Sequence, residues 1–85
     1  MKVLYFAWLK DRVGLAEEEV SPPAEVATVA ALVDWLKQRS PRHAEAFADL
    51  NVVRCAIDLD HARLDQALDG AREVAFFPPV TGGAG

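Results

Sequence analysis

Arg72-Glu73-Val74-Ala75-Phe76-Phe77-Pro78-Pro79 is the stretch of this sequence that decides its fold. The six residues before the prolines are typical of a β-strand, in which alternate side chains point to opposite faces. Val74 and Phe76 are expected on one face and Phe77 on the other. A proline cannot donate a hydrogen bond to a ladder, so the strand is expected to end at Phe77 and the chain to leave the sheet in an extended form.

The first strand is predicted over residues 2–9, where β-branched and aromatic residues dominate. Alternation divides its side chains into two sets, Val3, Tyr5 and Ala7 on one face, and Leu4, Phe6 and Trp8 on the other. Both faces are apolar, so this strand and the final one are expected at the centre of the sheet. The second face is then either covered by the chain itself or meets another protein.

A polar edge strand is predicted over residues 17–20, after a turn or short helical piece that ends at Gly14. Ser21-Pro22-Pro23 ends this strand. Its three glutamates are interpreted as a solvated strand face. A shared metal site is not favoured, because consecutive strand residues point to opposite sides.

Two helices are predicted in the middle of the chain. Thr28 is a suitable N-cap for a helix that runs through about Arg39. Its inward stripe follows the spacing i, i+3, i+4, i+7 and consists of Val29, Leu32, Val33 and Leu36. Ser40 caps a shorter helix that has Pro41 at its first position and ends near Asp49. The inner edge of this helix is predicted to be Ala44, Phe47 and Ala48.

Three further signals complete the sheet. Residues 52–58 alternate as a strand, residues 59–64 turn into a short edge strand, and Asp69-Gly70 marks the turn before the final strand. This order predicts an α+β fold with a mixed sheet of about five strands, and with one main helix and one short helix on one face. Residues 1–77 are expected to form the domain and residues 78–85 a flexible C-terminal tail.

Composition excludes several classes of function. The 85 residues make one domain, and the formal net charge is −4. Lysine and arginine never occur side by side, so neither nucleic acid nor an anionic membrane is an expected partner. No stretch approaches the roughly 20 apolar residues of a membrane span. The single cysteine, Cys55, allows no intrachain disulfide and no cysteine cluster for zinc, which favours a cytoplasmic location.

Isolated polar residues give weaker signals. Cys55 shares a strand face with Val53 and Ile57 and is interpreted as a core residue. His43 and His61 lack a nucleophile partner pattern and are interpreted as surface residues. The aspartates near residue 60 lack the spacing of a calcium loop, and they are interpreted as turn-forming residues, namely Asp58, Asp60 and Asp65. Neither a P-loop nor a dinucleotide fingerprint occurs, so nucleotide binding is expected of a partner.

The last six residues, Val80-Thr81-Gly82-Gly83-Ala84-Gly85, could carry chemistry. Glycines have no side chain, so their backbone can pass through a channel that excludes bulkier residues. A carboxylate at the end of such a tail becomes an acyl donor when ATP converts it to an acyl-adenylate, and sulfur can then displace AMP to leave a thiocarboxylate. The alternative from composition alone is a frayed terminus without a function.

The segment Arg72–Gly83 resembles the ending of the small subunits of molybdopterin synthase, the sulfur carriers of molybdenum cofactor biosynthesis. Lys2–Ala7 is similar to the first strand of that family, and Leu68-Asp69-Gly70 to its last turn. The likeness spans nearly the whole chain and is weakest around residues 40–65. It implies a β-grasp, ubiquitin-like fold.

The resemblance also implies roles for individual residues. Gly83 matches the glycine that is adenylated and converted to a thiocarboxylate, and Val80, Thr81 and Gly82 match the segment that threads into the partner. The residues implied to bind the partner are Phe6, Phe77, Pro78 and Pro79. No metal and no cofactor is implied in this chain.

The implied partners are an E1-like adenylyltransferase, which uses ATP, and the large subunit of molybdopterin synthase, with which the carrier forms a heterotetramer. The large subunit supplies the catalytic pocket, and the carrier brings sulfur to cyclic pyranopterin monophosphate. The small subunit would thus be a non-catalytic part of a two-subunit sulfurtransferase.

One departure from the family pattern leaves alternatives open. The chain continues past the second glycine with Ala84-Gly85. A peptidase could trim these residues, the partners could accept a longer tail with Gly85 as the activated end, or the chain could have another role. Other functions stay open as well: a β-grasp sulfur carrier for thiamine, tRNA thiolation or tungsten cofactor, a ubiquitin-like protein modifier, or a plain interaction domain.

Overall fold

Residues 1–79, which the computed structural model describes, form one mixed sheet packed against helices. The strands are β1 (Lys2–Tyr5), β2 (Glu17–Glu19), β3 (Arg54–Ile57), β4 (Asp60–Ala62) and β5 (Glu73–Phe77). The α-helices are α1 (Trp8–Val13), α2 (Val29–Lys37) and α3 (Pro41–Ala46), and a 3₁₀ helix follows at Leu50–Val52.

The strand order across the sheet is β2-β1-β5-β3-β4. The central strand β5 runs parallel to β1 and antiparallel to β3, and the two edge strands pair antiparallel with their neighbours. The prediction that the first and last strands lie inside the sheet, away from its edges, is confirmed, and the two strands also pair with each other. The antiparallel pairs β1–β2 and β3–β4 lie on either side of β5, which runs parallel to β1, and helices connect the two pairs. This arrangement is a β-grasp fold.

One face of the sheet carries the core. Val74 and Phe76 on β5 are fully buried, as their alternation predicts, and so are Val3 and Tyr5 on β1. The ring of Phe76 lies 6.3 Å from that of Tyr5 and 4.9 Å edge-on from that of Phe47. The predicted stripe of α2 closes this layer, and all four of its residues are fully buried.

The first strand is shorter than predicted. β1 ends at Tyr5, and the chain turns through Ala7, whose φ of 55° is unusual for a residue other than glycine. Trp8 and Leu9, predicted as strand, belong to α1, which buries Leu9 and Val13 on one helical face. Burial of this i, i+4 pair outweighs local strand propensity. Gly14 ends α1 in the left-handed conformation, in agreement with its predicted role.

The two predicted helix starts are confirmed. The Thr28 hydroxyl accepts a hydrogen bond from the amide of Ala31 at 3.1 Å, and Ser40 accepts one from the amide of His43 at 3.2 Å. The predicted inner edge of the shorter helix is partly wrong, because α3 ends at Ala46 and leaves Ala48 exposed beyond it.

A buried polar network ties the edge strand β2 to α3. The Tyr5 hydroxyl donates to Oε2 of Glu18 at 2.7 Å, and Nε2 of His43 lies 2.7 Å from the same oxygen. An ionised carboxylate only accepts hydrogen bonds, so Nε2 carries the proton. The Ser40 hydroxyl lies 2.7 Å from Nδ1 of His43, and the Arg39 guanidinium is 3.4 Å from Oε1 of Glu18.

This network corrects two predictions. His43, predicted at the surface, is only 6% exposed, because α3 turns it toward the sheet. Of the three glutamates, Glu18 is not solvated: its side chain is largely buried, while those of Glu17 and Glu19 are exposed. The burial follows from pairing, since Glu18 lies opposite Val3 and shares its inward direction.

Ionisation in the network follows its geometry. Burial alone would raise the pKa of Glu18, but hydrogen bonds from His43 and Tyr5 and the charge of Arg39 outweigh it and hold this pKa below its ordinary value. Burial, reinforced by the hydrogen bond to Glu18, raises the pKa of Tyr5 well above its ordinary value. The network therefore holds an ionised glutamate and a neutral tyrosine.

We predict that Glu18→Gln lowers the free energy of unfolding by about 1–3 kcal/mol at pH 7, because it replaces a charged acceptor of several hydrogen bonds. The pKa of Glu18 is lower in the folded than in the unfolded state. The ionised Glu18 side chain therefore stabilises the fold above its unfolded-state pKa of about 4.3. This stabilisation is lost as the pH falls through the lower pKa of the folded state. Urea unfolding between pH 3 and pH 7 measures the free energy of unfolding of both proteins. The difference between Glu18→Gln and the native sequence should be smaller at pH 3 than at pH 7.

The matched control is Glu17→Gln on the same strand, whose side chain is 55% exposed and should change stability by no more than about 0.5 kcal/mol. Equal losses in the two variants, or a difference that persists at pH 3, would contradict the role given to Glu18.

Candidate functional site

The face of the sheet away from the core carries an apolar row. Ala75 on β5 lies between Leu4 of β1 and Ala56 of β3, so the three side chains cross the three inner strands in register. None of them belongs to the buried cluster that packs against the helices. Leu4 and Ala75 are half-buried and Ala56 is 9% exposed, so part of the apolar surface of this row is accessible to another protein.

Two phenylalanines extend this row at one end of the sheet. Phe77, the last residue of β5, lies on the same face as Ala75 and is half-buried. The Phe6 amide donates to the Phe76 carbonyl at 3.1 Å, which continues the pairing one residue past β1 and brings Phe6 level with Phe77. The Phe6 side chain is 48% exposed. The predicted partner-binding phenylalanines are therefore brought together, and we call these five residues the docking face: Leu4, Phe6, Ala56, Ala75 and Phe77.

Polar residues border the docking face. The ring of His61 lies 5.4 Å from that of Phe77 and nearly perpendicular to it. Arg54 lies opposite Phe77 on β3, and its guanidinium donates to the carbonyl of Asn51 at 3.1 Å. At the other end of the face, Lys2 and Glu73 lie opposite each other. An apolar centre within a charged rim is the usual composition of a protein–protein interface.

The docking face ends where the chain leaves the sheet. β5 ends at Phe77, as its sequence predicts, and Pro78 and Pro79 follow outside the ladder, both half-buried. The exit therefore lies beside Phe6 and Phe77, at the carboxyl end of both parallel strands. The other site residues named from the sequence lie outside the described residues, and their roles stay predictions: Val80, Thr81, Gly82, Gly83 and Gly85.

The network of Ser40, His43 and Glu18 has the composition of a catalytic triad but not its accessibility. Ser40 Oγ is already engaged as the N-cap of α3, and the His43 ring is almost fully buried. These contacts hold β2 and α3 together. The network was not predicted from the sequence, although one signal was present: Glu18 shares its alternation with the buried Val20.

Two of the remaining polar candidates, Asp58 and Cys55, have structural roles. Oδ1 of Asp58 accepts hydrogen bonds from the amides of Arg72 and Glu73 at 3.0 and 2.9 Å, which fixes the start of β5. His61 is exposed, as predicted. Cys55 is 2% exposed, its thiol donates to the Ala62 carbonyl at 3.3 Å, and burial raises its pKa. Its prediction as a core residue is confirmed.

Two further kinds of site are absent from residues 1–79. They contain no group of three or more histidine, cysteine or acidic residues placed to hold a metal ion. Within the same range, no helix has the length and apolar character needed to cross a membrane.

Comparison with known proteins gives one family and several relatives. The family model described as the ThiS family matches residues 3–83. A molybdopterin synthase sulfur carrier subunit of Escherichia coli is 40% identical over 83 residues, which cover 98% of this chain and 99% of that protein. A protein of the same name from Haemophilus influenzae is 31% identical, with the same coverage of both chains.

Two solved structures share the fold. A Pyrococcus furiosus protein described as molybdopterin converting factor, subunit 1, superposes with a TM-score of 0.71 at 34% identity, covering 93% of this chain and 95% of that one. SAMP1 from Haloferax volcanii superposes with a TM-score of 0.73 at 26% identity, covering 98% of both chains.

We predict that the Cys55 thiol reacts slowly in the folded protein, because it is buried, hydrogen-bonded and held neutral. Labelling with a chromogenic disulfide at pH 8 should be about 100-fold slower than in urea-unfolded protein. The signal is unambiguous because the chain has one cysteine. Equal rates in the two states would mark Cys55 as a reactive thiol.

Proposed function

This chain belongs to the ThiS family, and we propose that it is the sulfur-carrier subunit of a molybdopterin synthase, with Gly83 as the residue that carries the sulfur. One observation carries the proposal. The central strand ends beside an open apolar face and releases a segment that contains Gly82-Gly83, so docking and delivery begin at the same residue, Phe77. The names of the relatives support the same role.

The docking face supplies the binding energy. Phe6 and Phe77 present large apolar surface at the exit of the tail, and aromatic side chains of this kind often dominate the affinity of an interface. Ala56 and Ala75 are small, so a partner can approach the sheet closely between them. Both partners, the adenylyltransferase and the large subunit, would use this face in turn.

The tail supplies the reacting group. Pro78 and Pro79 restrict the backbone where the chain leaves the sheet, and so set the direction of the segment that follows. From Pro78 to Gly83, six residues reach at most about 20 Å when extended, which suffices to enter a partner's pocket. Val80, Thr81 and Gly82 would lie in the channel, and only the glycines fit its narrowest part.

The chemistry then follows in three steps. On the E1-like adenylyltransferase, the Gly83 carboxylate attacks the α-phosphate of ATP and pyrophosphate leaves. The terminal sulfur of a persulfide donor displaces AMP and forms an acyl persulfide. A thiol then attacks the donor sulfur of its S–S bond, which releases the thiocarboxylate on Gly83 and leaves the donor and the thiol joined in a disulfide. In the large subunit this sulfur passes to cyclic pyranopterin monophosphate, and two turnovers build the dithiolene. The carrier binds no cofactor of its own, works in the cytoplasm and forms a heterotetramer with the large subunit.

Reconstitution tests this function. The chain ending at Gly83 is combined with the adenylyltransferase, ATP, a persulfide donor, a molybdopterin synthase large subunit and cyclic pyranopterin monophosphate. We expect intact mass to show one oxygen replaced by sulfur, and dithiolene formation to follow. Removing Gly83 as well should abolish both signals, because the reactive carbonyl is then one residue short of its position.

Two results would contradict the proposal. One is a chain ending at Gly83 that acquires no sulfur although a carrier from a relative does so in the same mixture. The other is the formation of stable conjugates with lysine side chains in place of a free thiocarboxylate, which would indicate a protein modifier.

We predict that Phe77→Ala weakens binding to the large subunit by about 30-fold or more, because truncating a large aromatic anchor of an interface can cost about 2 kcal/mol or more. Phe6→Ala should weaken binding in the same direction. Titration calorimetry measures the affinity, and urea unfolding verifies that each variant is folded.

Leu59→Asn is the matched control. Leu59 is 84% exposed in the turn between β3 and β4, at the opposite end of the sheet from Phe77, and asparagine tolerates its positive φ of 75°. Its affinity should be unchanged. A loss as large as that of Phe77→Ala would place the interface elsewhere.

A further inference from the structure

His61 shares a side of the sheet with the docking face but lies on β4, a strand that the docking face does not include. Ala56 on β3 is paired with Ala75 of β5 on one side and with His61 on the other, so the three side chains point to the same side. His61 is exposed, whereas Ala56 is buried. The edge strand β4 therefore places one imidazole ring beside the docking face.

The contact between His61 and Phe77 crosses an intervening strand. Their strands, β4 and β5, are both paired with β3, and neighbouring strands lie about 4.8 Å apart, so the two backbones are separated by about 10 Å. The ring centroids are nevertheless only 5.4 Å apart, and the ring planes meet at 82°. The two side chains therefore lean toward each other over β3. Ala56, which is paired with His61, has only a methyl group and leaves room for this contact.

The backbone of Phe77 is fixed from two directions, but its side chain is not. Phe77 pairs with Arg54 in the ladder between β5 and β3. Pro78 follows it, and a proline disfavours a helical backbone at the residue before it. Two side-chain torsions remain free to rotate between staggered positions. The imidazole ring of His61, nearly perpendicular to the Phe77 ring, limits the directions that these torsions allow.

We infer that His61 is a positioning residue of the docking face, which holds the ring of Phe77 in the orientation that the large subunit binds; the inference rests on the proposed function. A side chain that becomes ordered only on binding lowers the affinity of an interface. Contact with His61 orders Phe77 before the partner arrives, so less of the binding free energy is lost in this way. The edge strand β4 thus takes part in docking through one side chain.

The role depends on the ring of His61 rather than on its polarity. Edge-to-face aromatic pairs are favourable at centroid distances of about 4.5–7 Å, a range that includes the distance between His61 and Phe77. A phenylalanine side chain can form the same contact. A glutamine side chain keeps hydrogen-bonding groups but offers no ring. The two substitutions therefore separate contact with Phe77 from a hydrogen bond between His61 and the partner.

The first experiment tests the contact in the free protein by NMR spectroscopy. An aromatic ring shifts the signals of protons close to it, so the carbon-bound ring protons of His61 should move toward their unfolded-state positions in Phe77→Ala. His43 is the internal control, because it is the second of the two histidines and its ring lies 6.0 Å from that of Tyr5 on the buried side. Its signals should stay in place. Unchanged His61 signals would overturn the inference.

The second experiment measures affinity for the molybdopterin synthase large subunit by titration calorimetry. His61→Ala should weaken binding about 3- to 10-fold, His61→Phe should keep the native affinity, and His61→Gln should weaken binding as His61→Ala does. Native affinity in His61→Ala or in His61→Gln would overturn the inference and leave the carrier function standing. If the native chain itself does not bind the large subunit, the carrier function fails and the inference with it.

A double-mutant cycle provides the matched control. In protein that already carries Phe77→Ala, the change His61→Ala should cause little further loss of affinity, because the ring that His61 holds is gone. An equal loss in both backgrounds would show that His61 acts on the partner directly and would overturn the inference. Urea unfolding of His61→Ala should stay close to that of the native chain, since His61 is exposed on an edge strand. A large loss of stability would assign His61 to the sheet instead and would also overturn it.

Discussion

The parallel pairing of β1 with β5 is the constraint on which the rest of the molecule depends. It joins the beginning of the domain to its end, and it aligns Tyr5 with Phe76 on the buried side and Leu4 with Ala75 on the open side. The same register between β1 and β5 therefore determines which residues form the core and which form the docking face. A shift of this pairing by one residue would exchange them, so the position of the exit cannot vary independently of the packing of the core.

The two faces of the sheet are stabilised in different ways. Toward the helices, aromatic rings and aliphatic side chains pack around Phe76, and the one carboxylate in this layer, Glu18, is satisfied by Tyr5, His43 and Arg39. Toward the outside, Ala56 is 9% exposed, Leu4, Ala75 and Phe77 are half-buried, and Phe6 is exposed. This asymmetry is typical of a protein that binds a partner, since an accessible apolar patch bordered by polar residues marks an interaction site.

Much of this arrangement could be predicted from the sequence, and the exceptions have physical causes. The two faces of β5, the helix starts at Thr28 and Ser40, and the end of β5 before Pro78 depend on local signals, so they were predicted correctly. The predicted length of β1 was wrong, because the turn at Ala7 depends on burying Leu9 against residues that are distant in the sequence. His43 and Glu18 were assigned to the surface because the hydrogen bond that satisfies them joins residues 25 positions apart, and the one local signal, the alternation of Glu18 with Val20, does not identify that partner.

The pairing of β5 also has a mechanical consequence. A partner that holds the tail pulls along the strand axis, so the load acts as shear on the ladders with β1 and β3 together rather than opening one hydrogen bond at a time. The domain can then be drawn against the partner without unravelling from its end. Loss of a contact at the docking face, by contrast, requires no opening of the two ladders that hold β5.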